Sequence, residues 1–303
     1  MSKKTSKAIR LSKSDQIMET VINIVMTLLF LVVAYPLVYV VSSSFSSGDA
    51  VFNGKVLLWP VDFSTFGYEI VLKYPKVWVG YKNTIINTVL GTIMNVFATT
   101  LVAYPMSRKE FQGKGFYMFI FMFTMWFGGG LVPTYILMSD LGLINNRLSV
   151  LLSGLISISN MVVMRSFFRS SIPQDLHDAA RVDGISDLGY MVKIVLPLSK
   201  AVFSVVTLYY AVAHWNSYFS AMIYLRHPDQ MTLQQVLKDL LAQANPSLDD
   251  VQGMTAEEIA NMQYSADLMK YSLIVVSSAP ILCAYPFVQK YFEKGVMIGS
   301  VKG

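Results

Sequence analysis

Charge is scarce in this chain of 303 residues. Asp, Glu, Lys and Arg make up 14% of it, against about 25% in a soluble domain. Mean hydropathy is +0.48, which excludes an ordinary water-soluble protein. Cysteine is nearly absent as well: Cys283 stands alone inside an apolar run, so neither a disulfide framework nor a cysteine metal site is available.

Long apolar runs indicate a membrane protein instead. Runs of about 17 to 25 residues match the hydrocarbon core of a bilayer, roughly 30 Å thick, when the chain is helical. The sequence therefore predicts an all-α polytopic membrane protein with six transmembrane helices. These spans are expected near residues 20–44, 84–106, 116–138, 148–164, 201–225 and 271–289.

Lysine and arginine set the expected orientation. They collect in the basic segment 1–15, in the short connection after the second span and near the end of the chain. By the positive-inside rule these segments are cytoplasmic. Residues 16–303 then form one transmembrane domain with both termini inside, a cytoplasmic connection at 165–200 and an external loop at 226–270.

Motifs for chemistry are missing. No G-x-x-x-x-G-K-[ST] is present to hold ATP, and the three histidines lack metal-ligand spacing, so we expect no catalytic residues, no metal and no cofactor in this chain. No predicted span carries Asp, Glu, Lys or Arg in its interior, unlike many ion-coupled carriers. Energy for any transport must come from elsewhere. We expect membrane lipid around the chain and no nucleic acid.

The connection 174–197 contains helix-capping and helix-breaking residues that a solvated loop would not need. Pro173 suits a first helical turn with Ser171 or Ile172 at the cap, and Gly184 suits its end, so the sequence predicts a helix from Gln174 to Asp183. Ser186 is expected to cap a second helix that Pro197 interrupts. On the first helix, the apolar residues Leu176, Ala179 and Ala180 are expected to share one face.

These residues resemble a known motif, the "EAA" loop of ABC importer permeases. The match consists of Asp178, Ala179, Ala180, Asp183, Gly184, Ile194, Leu196 and Pro197. Aspartate stands at 178 where glutamate is usual, and isoleucine at 185 where alanine is common. The resemblance implies a type I ABC importer permease whose coupling helix seats in a groove of an ATP-binding subunit.

The resemblance extends over about residues 15–303. Asn83-Thr84 before the second span, "HWNSYFSAMIYL" at 214–225 and the ending "QKYFEKGVMIGSVKG" are similar to the carbohydrate branch, both the maltose-type second permease and the lipoprotein-linked oligosaccharide permeases. It implies a sugar, in particular an oligosaccharide, as cargo in a prokaryotic plasma membrane. It also implies a second homologous permease, two ATP-binding subunits that hold ATP and Mg, and an extracellular or periplasmic solute-binding protein. In that branch the tail, here Gly299, Val301, Lys302 and Gly303, reaches between the ATP-binding subunits.

Three further groups leave alternatives open. Tyr210, His214, Trp215, Asn216 and Tyr218 either line the sugar pathway or pack between helices. Leu237 and Leu240 belong to an apolar stripe at helical spacing in the external loop, which either docks the binding protein or packs on the chain's own spans. The "FGGGLVPT" stretch at 127–134 is either a packing kink or a gate hinge.

Other classes of protein also remain. A secondary carrier is disfavoured by the missing intramembrane charges, and an intramembrane enzyme by the missing catalytic set. An ABC permease for a non-sugar solute, such as a peptide or polyol, is the alternative within the same family.

Overall fold

The computed structural model describes residues 12–243 and 255–300, and these residues form helices and no strand. A π-helical turn at Met191–Val195 and a 3-10 turn at Pro228–Gln230 stand among α-helices. The α-helices are α1 (Lys13–Ser44), α2 (Gly48–Phe52), α3 (Phe66–Lys73), α4 (Pro75–Ser107), α5 (Lys114–Trp126), α6 (Leu131–Asp140), α7 (Arg147–Leu152), α8 (Ile158–Ser171), α9 (Gln174–Val182), α10 (Asp187–Tyr190), α11 (Leu196–Leu198), α12 (Lys200–Trp215), α13 (Phe219–Tyr224), α14 (Leu233–Gln243) and α15 (Ala256–Ser300).

The chain divides into two compact units, Met1–Val71 with Ala244–Val275, and Leu72–Gln243 with Val276–Gly303. In the first unit, α1 begins with a capping box, because Ser12 Oγ accepts from the Asp15 N–H and the Asp15 carboxylate accepts from the Ser12 N–H. After its polar first turns, its side chains are mostly apolar and exposed until the last turn, Ser42–Ser44, which is buried. Such a helix has no polar face for water, which fits a lipid environment.

The second unit is built around α4, which packs against α8 and α12. Met161, Met164 and Phe168 from α8 and Val206 and Tyr210 from α12 are buried in this core. The face of α4 turned inward carries small and polar residues at four-residue spacing, including Asn83, Asn87, Gly91, Asn95 and Thr99. Small residues let helix backbones approach closely, and polar ones hydrogen-bond across the contact.

Three described helices are long and apolar enough to cross a bilayer: Lys13–Ser44, Pro75–Ser107 and the Met262–Cys283 part of α15. Two bent pairs raise that number to five if each pair counts as one span. One pair is Lys114–Trp126 with Leu131–Asp140, bent by 112°, and the other is Asp187–Leu198 with Lys200–Trp215, bent by 83°.

Three of the six predicted spans are therefore not continuous helices. The run 116–138 is broken at 127–130, the run 148–164 at 153–157, and the run 201–225 at 216–218. At the first break, Gly130 has φ +86°, a left-handed conformation that a residue with Cβ adopts at a cost. The glycine run thus produces a 112° turn between two helices, much sharper than a packing kink.

Candidate functional site

The segment from α9 to α10 has the predicted helix, elbow and second helix. α9 runs over Gln174–Val182, with Asp183 at its C-cap. Gly184 follows with φ +73°, and Ser186 Oγ accepts from the Gly189 N–H to cap α10. The start differs slightly from the prediction: Pro173 itself occupies the cap position, without a side-chain cap bond.

His177 fixes the two helices of this segment to each other, a role that the sequence analysis missed. Its Nε2 lies 3.2 Å from Asp187 Oδ1, across the elbow. Its ring also meets the Tyr190 ring edge-on, with centroids 5.0 Å apart, and the Ile185 N–H donates to the Ala180 carbonyl at 2.9 Å. The sequence signal for this role was a single histidine among acidic residues in a loop predicted to be helical.

The apolar face of α9 is not the one predicted from sequence. Ala180 is buried within this chain, on the same side as His177, whereas Leu176 and Ala179 are exposed. Ala180 therefore packs on its own chain and cannot offer the predicted contact to a partner. Helical spacing alone could not show which part of the small-residue face turns inward.

Two apolar side chains that the sequence analysis passed over are prominent on this segment. Val182 is 88% exposed and Leu188 is 66% exposed. Together with Leu176 they form what we call the apolar rim, residues 176, 182 and 188. An apolar rim in an otherwise charged loop is the kind of surface that another protein covers.

The end of the segment departs from the prediction in one detail. Pro197 lies inside α11, after the π-helical turn at Met191–Val195. The chain bends at Ser199, between α11 and α12, rather than at the proline. The remaining predicted coupling residues, Asp178 and Asp183, are exposed.

A pocket of about 450 Å³ lies beside α9. Its lining includes Arg108, Glu110, His177, Arg181 and Asp187. A backbone hydrogen bond within Glu110 and the Gln174 amide lower the pKa of the Glu110 carboxyl, so it is ionised at neutral pH.

A second cavity, of about 390 Å³, lies where the broken helices meet α4. It is lined by polar and aromatic side chains without a formal charge other than any that His214 carries. These residues are Asn95, Ser153, Ser157, Asn160, Tyr209, Tyr210, His214, Ser217 and Ser220, with Val150, Gly154 and Ala213. We call it the polar cavity. Ser157 caps α8 and Asn160 lies in its first turn, so the positive end of that helix dipole is at the wall.

Two of the five predicted pathway residues line the polar cavity. Tyr210 shares a 2.6 Å hydrogen bond with Thr99, and its hydroxyl accepts from the Ser157 N–H at 2.9 Å. His214 lies against α4, where a Cβ at position 91 would overlap its ring, and its Nε2 is 3.4 Å from Asn95 Oδ1. Both side chains are therefore held in place by the helices they join.

The other three predicted pathway residues are not among those lining this cavity. Trp215 is buried, its Nε1–H donates to the Ser277 carbonyl at 3.0 Å, and its ring meets Tyr81. The Tyr218 hydroxyl is 3.1 Å from Met222 Sδ, and Asn216 is exposed at the end of α12. Trp215 thus takes the packing alternative, whereas Asn95 and Asn160 are cavity residues that sequence analysis did not assign.

The stripe of α14 also packs on its own chain. Leu233, Val236 and Leu240 are buried, and Leu237 is half-buried. The contact partner is α4, where a Cβ on Gly80 would lie 3.0 Å from the Leu233 Cα. Leu240 is therefore not available for docking, and the self-packing alternative is the one observed.

The Asn83-Thr84 pair secures this arrangement. Asn83 Nδ2 donates to the carbonyls of Asp229 and Met231, and Asn83 Oδ1 accepts from Arg147 at 2.8 Å. Thr84 Oγ1 accepts from the Leu233 N–H at 2.9 Å. The polar pair thus ties the start of α14 to α4.

The predicted tail residues lie at the limit of the described part of the chain. Val301, Lys302 and Gly303 are outside it, and Gly299 is described only as part of the α15 helix, without its surroundings.

Comparisons with known proteins agree with this architecture. The permease protein YtcP of the polygalacturonan/rhamnogalacturonan transport system in Bacillus subtilis (strain 168) is 33% identical over 273 residues, 90% of this chain and 94% of its own length. Protein LplC of the same organism is 32% identical over 88% of this chain and 89% of its own length.

A solved structure is similar over nearly the whole fold. It is a crystal structure of a bacterial ABC transporter involved in the import of the acidic polysaccharide alginate. One of its chains has 35% identity and a TM-score of 0.84, covering 94% of this chain and all of that one. Residues 77–298 match the family model described as binding-protein-dependent transport system inner membrane component. The chain therefore belongs to the family of inner-membrane permease components of binding-protein-dependent ABC transport systems.

Proposed function

We propose that this chain forms half of the pathway of an ATP-driven importer whose cargo is an oligosaccharide bearing carboxylates. The observation that carries the proposal is the polar cavity, because it combines sugar-compatible groups with a helix N-terminus. The chain itself hydrolyses nothing. Two ATP-binding subunits, each holding ATP and Mg, supply the energy, and a second, similar permease completes the pathway.

The cavity chemistry suits a sugar. Serine hydroxyls and asparagine amides can each donate and accept hydrogen bonds, as sugar hydroxyls do. Tyr209 is half-exposed beside the cavity and offers an aromatic face. Individual contacts of this kind contribute on the order of 1 kcal/mol each, which allows both binding and release.

The charge pattern favours an acidic sugar over a neutral one. No Asp or Glu lines the cavity to repel a carboxylate. The first turn of α8, which holds Ser157 and Asn160, presents the positive end of its dipole there. Polygalacturonan and alginate, the polymers named for the two similar systems, both carry carboxylates.

The segment α9–α10 is the proposed contact with an ATP-binding subunit. Its apolar rim is exposed, while Ala180 and Tyr190 of the same segment are buried in the core with residues of α4, α8 and α12. A push on the rim is thus transmitted to α4 and α12, which pack around the polar cavity. In this proposal the segment and both termini are cytoplasmic, and the region of α14 is on the side of the solute-binding protein.

Uptake by purified importer in proteoliposomes tests this function. The vesicles contain this chain with its permease partner and ATP-binding subunits, and receive the solute-binding protein outside. We expect ATP-dependent uptake of labelled oligogalacturonate, and no uptake driven by an ion gradient alone. Gradient-driven uptake without ATP would instead support a secondary carrier.

Competition for uptake into the same vesicles identifies the class of cargo. Unlabelled oligogalacturonate should compete strongly, whereas a maltodextrin of equal length and the methyl ester of the oligogalacturonate should compete weakly. Equal competition by the ester would show that the carboxylates are not recognised. Competition by peptides or polyols, and not by sugars, would place the chain with the non-sugar permeases of its family.

A further inference from the structure

A group of potential metal ligands lies beside α9, in a chain where the sequence predicted no metal. Glu110, His177 and Asp178 each offer one ligand atom, and these atoms lie within 4.8 Å of one another. Glu110 follows the end of α4, whereas His177 and Asp178 are on α9. The group therefore joins two elements that are remote in the sequence, which is why spacing motifs could not detect it.

The His177 ring is the strongest indication of a ligand. It is 97% buried in the chain, being 3% exposed, and its Nδ1 has no hydrogen-bond partner among the described residues. Its Nε2, in contrast, is 3.2 Å from Asp187 Oδ1. A carboxylate can only accept, so His177 donates from Nε2 in this bond, and Nδ1 is the ring nitrogen left to face Glu110 and Asp178.

Two further carboxylate oxygens lie near His177 Nδ1. Nδ1 lies 3.8 Å from Asp178 Oδ1 and 4.0 Å from Glu110 Oε1. These distances are too long for a hydrogen bond, so a proton shared with either carboxylate does not account for the arrangement. A buried ring nitrogen that has no hydrogen-bond partner and lies near two carboxylate oxygens is the arrangement of a candidate cation site.

The spacing suits a small transition metal. Zinc binds histidine nitrogen and carboxylate oxygen at about 2.0–2.2 Å, so its ligand atoms lie about 3.4 Å apart in a tetrahedral site. The two separations from His177 Nδ1, 3.8 and 4.0 Å, exceed that value by about half an ångström, and all three ligand atoms lie within 4.8 Å of one another. The Asp187–His177 bond is the usual support for a metal-bound histidine, since it fixes the ring and its tautomer.

Two neighbouring side chains approach the carboxylates of this group. The Gln174 side-chain amide donates from Nε2 to Glu110 Oε1 at 2.6 Å and to Asp178 Oδ1 at 3.4 Å. Arg108 approaches the other oxygen of Glu110, with Nε 4.0 Å from Oε2.

We propose that Glu110, His177 and Asp178 bind a divalent transition metal of the zinc type, with solvent completing its coordination. The bound ion pins α9 to the chain that follows α4. It thereby holds the coupling segment against the body of the permease, independently of which cargo the importer carries. Asp178 cannot contact a partner and the ion through the same oxygen, so occupancy also sets how that residue is presented.

Zinc binding to the assembled importer tests the site. The complex is purified with a tag that contains no histidine, stripped with a chelator and titrated with Zn²⁺ against a zinc-binding dye. We expect one tight site per copy of this chain. Co²⁺ substitution should add visible absorption bands of the intensity that tetrahedral cobalt gives.

Conservative variants identify the ligands. Glu110→Gln and Asp178→Asn change exposed side chains without removing volume, and each should weaken zinc binding by at least about tenfold and abolish the Co²⁺ bands. Asp175→Asn, also an exposed acid on α9, should leave both unchanged and serves as the matched control. Absence of a tight site in the wild type, or wild-type affinity in both variants, overturns the proposal.

Discussion

His177 and Asp187 stand on opposite sides of the Gly184 elbow, with His177 Nε2 3.2 Å from Asp187 Oδ1. His177 is buried and Asp187 is largely exposed, so the bond fastens α10 to the inner side of α9. The two helices are thereby linked across the elbow. Motion imposed on one of them is then passed to the other and to the start of α12.

Breaking this bond should uncouple ATP use from transport. Asp187→Leu removes the acceptor, whereas Asp187→Asn keeps one and should act mildly. We expect the leucine variant to assemble normally but to transport several-fold less sugar per ATP hydrolysed in proteoliposomes. An unchanged ratio in both variants would remove this bond from the coupling path.

The elbow itself depends on a left-handed residue. Gly184 has φ +73° and an added Cβ would meet nothing within 4 Å, so substitution there acts through the backbone alone. Gly184→Val should cost roughly 1–3 kcal/mol locally and lower uptake strongly, whereas Gly184→Asn should be tolerated, since asparagine adopts this conformation readily. Uptake normalised to assembled complex measures the difference. Equal loss in both variants would point to a side-chain effect instead.

Cargo recognition is expected at the polar cavity. Asn160 lines it from the first turn of α8, while the neighbouring Ser159 is exposed and is not among the lining residues. Asn160→Ala should lower oligogalacturonate uptake several-fold through a weaker apparent affinity, and Ser159→Ala should not. Assembly, followed by gel filtration, should stay normal in both. If the two variants behave alike, the cavity is not a binding site for the cargo.

Trp215 should act on stability and leave cargo preference alone. Its indole is buried and donates to the Ser277 carbonyl. Trp215→Ala should cost about 3–5 kcal/mol and reduce the amount of assembled complex. Trp215→Phe keeps most of the packing and should cost about 1 kcal/mol. Thermal unfolding of the purified complex measures which of the two variants is less stable. A changed ratio of uptake between two sugars in Trp215→Phe would return this residue to the pathway.

Much of this arrangement follows from the sequence. Pro173, Gly184 and Ser186 are local signals, and each one marks the helix boundary that the structure shows to within a residue. The apolar runs give the helices that carry the membrane-facing surface. The resemblance of residues 178–197 to the EAA pattern gives the family, which residues 77–298 confirm.

The rest depends on tertiary packing. Hydropathy treats residues 148–164 and 201–225 as unbroken runs, whereas the breaks at 153–157 and 216–218 arise where these segments meet α4. Periodicity puts Leu240 and Ala180 on apolar faces, but it does not say what those faces contact, and both proved to be buried in their own chain. Likewise, Glu110 and His177 come together only through the fold.

Cross-linking from the apolar rim tests the central claim most directly, namely that α9–α10 receives the ATP-driven motion from a partner subunit. In a chain with Cys283→Ser, the substitutions Val182→Cys and Asp239→Cys place a single thiol on α9 or on α14. A short thiol–amine cross-linker applied to the assembled importer should join position 182 to an ATP-binding subunit, and position 239 to none. Cross-links from position 239 to an ATP-binding subunit, with none from position 182 in an intact complex, would contradict the account.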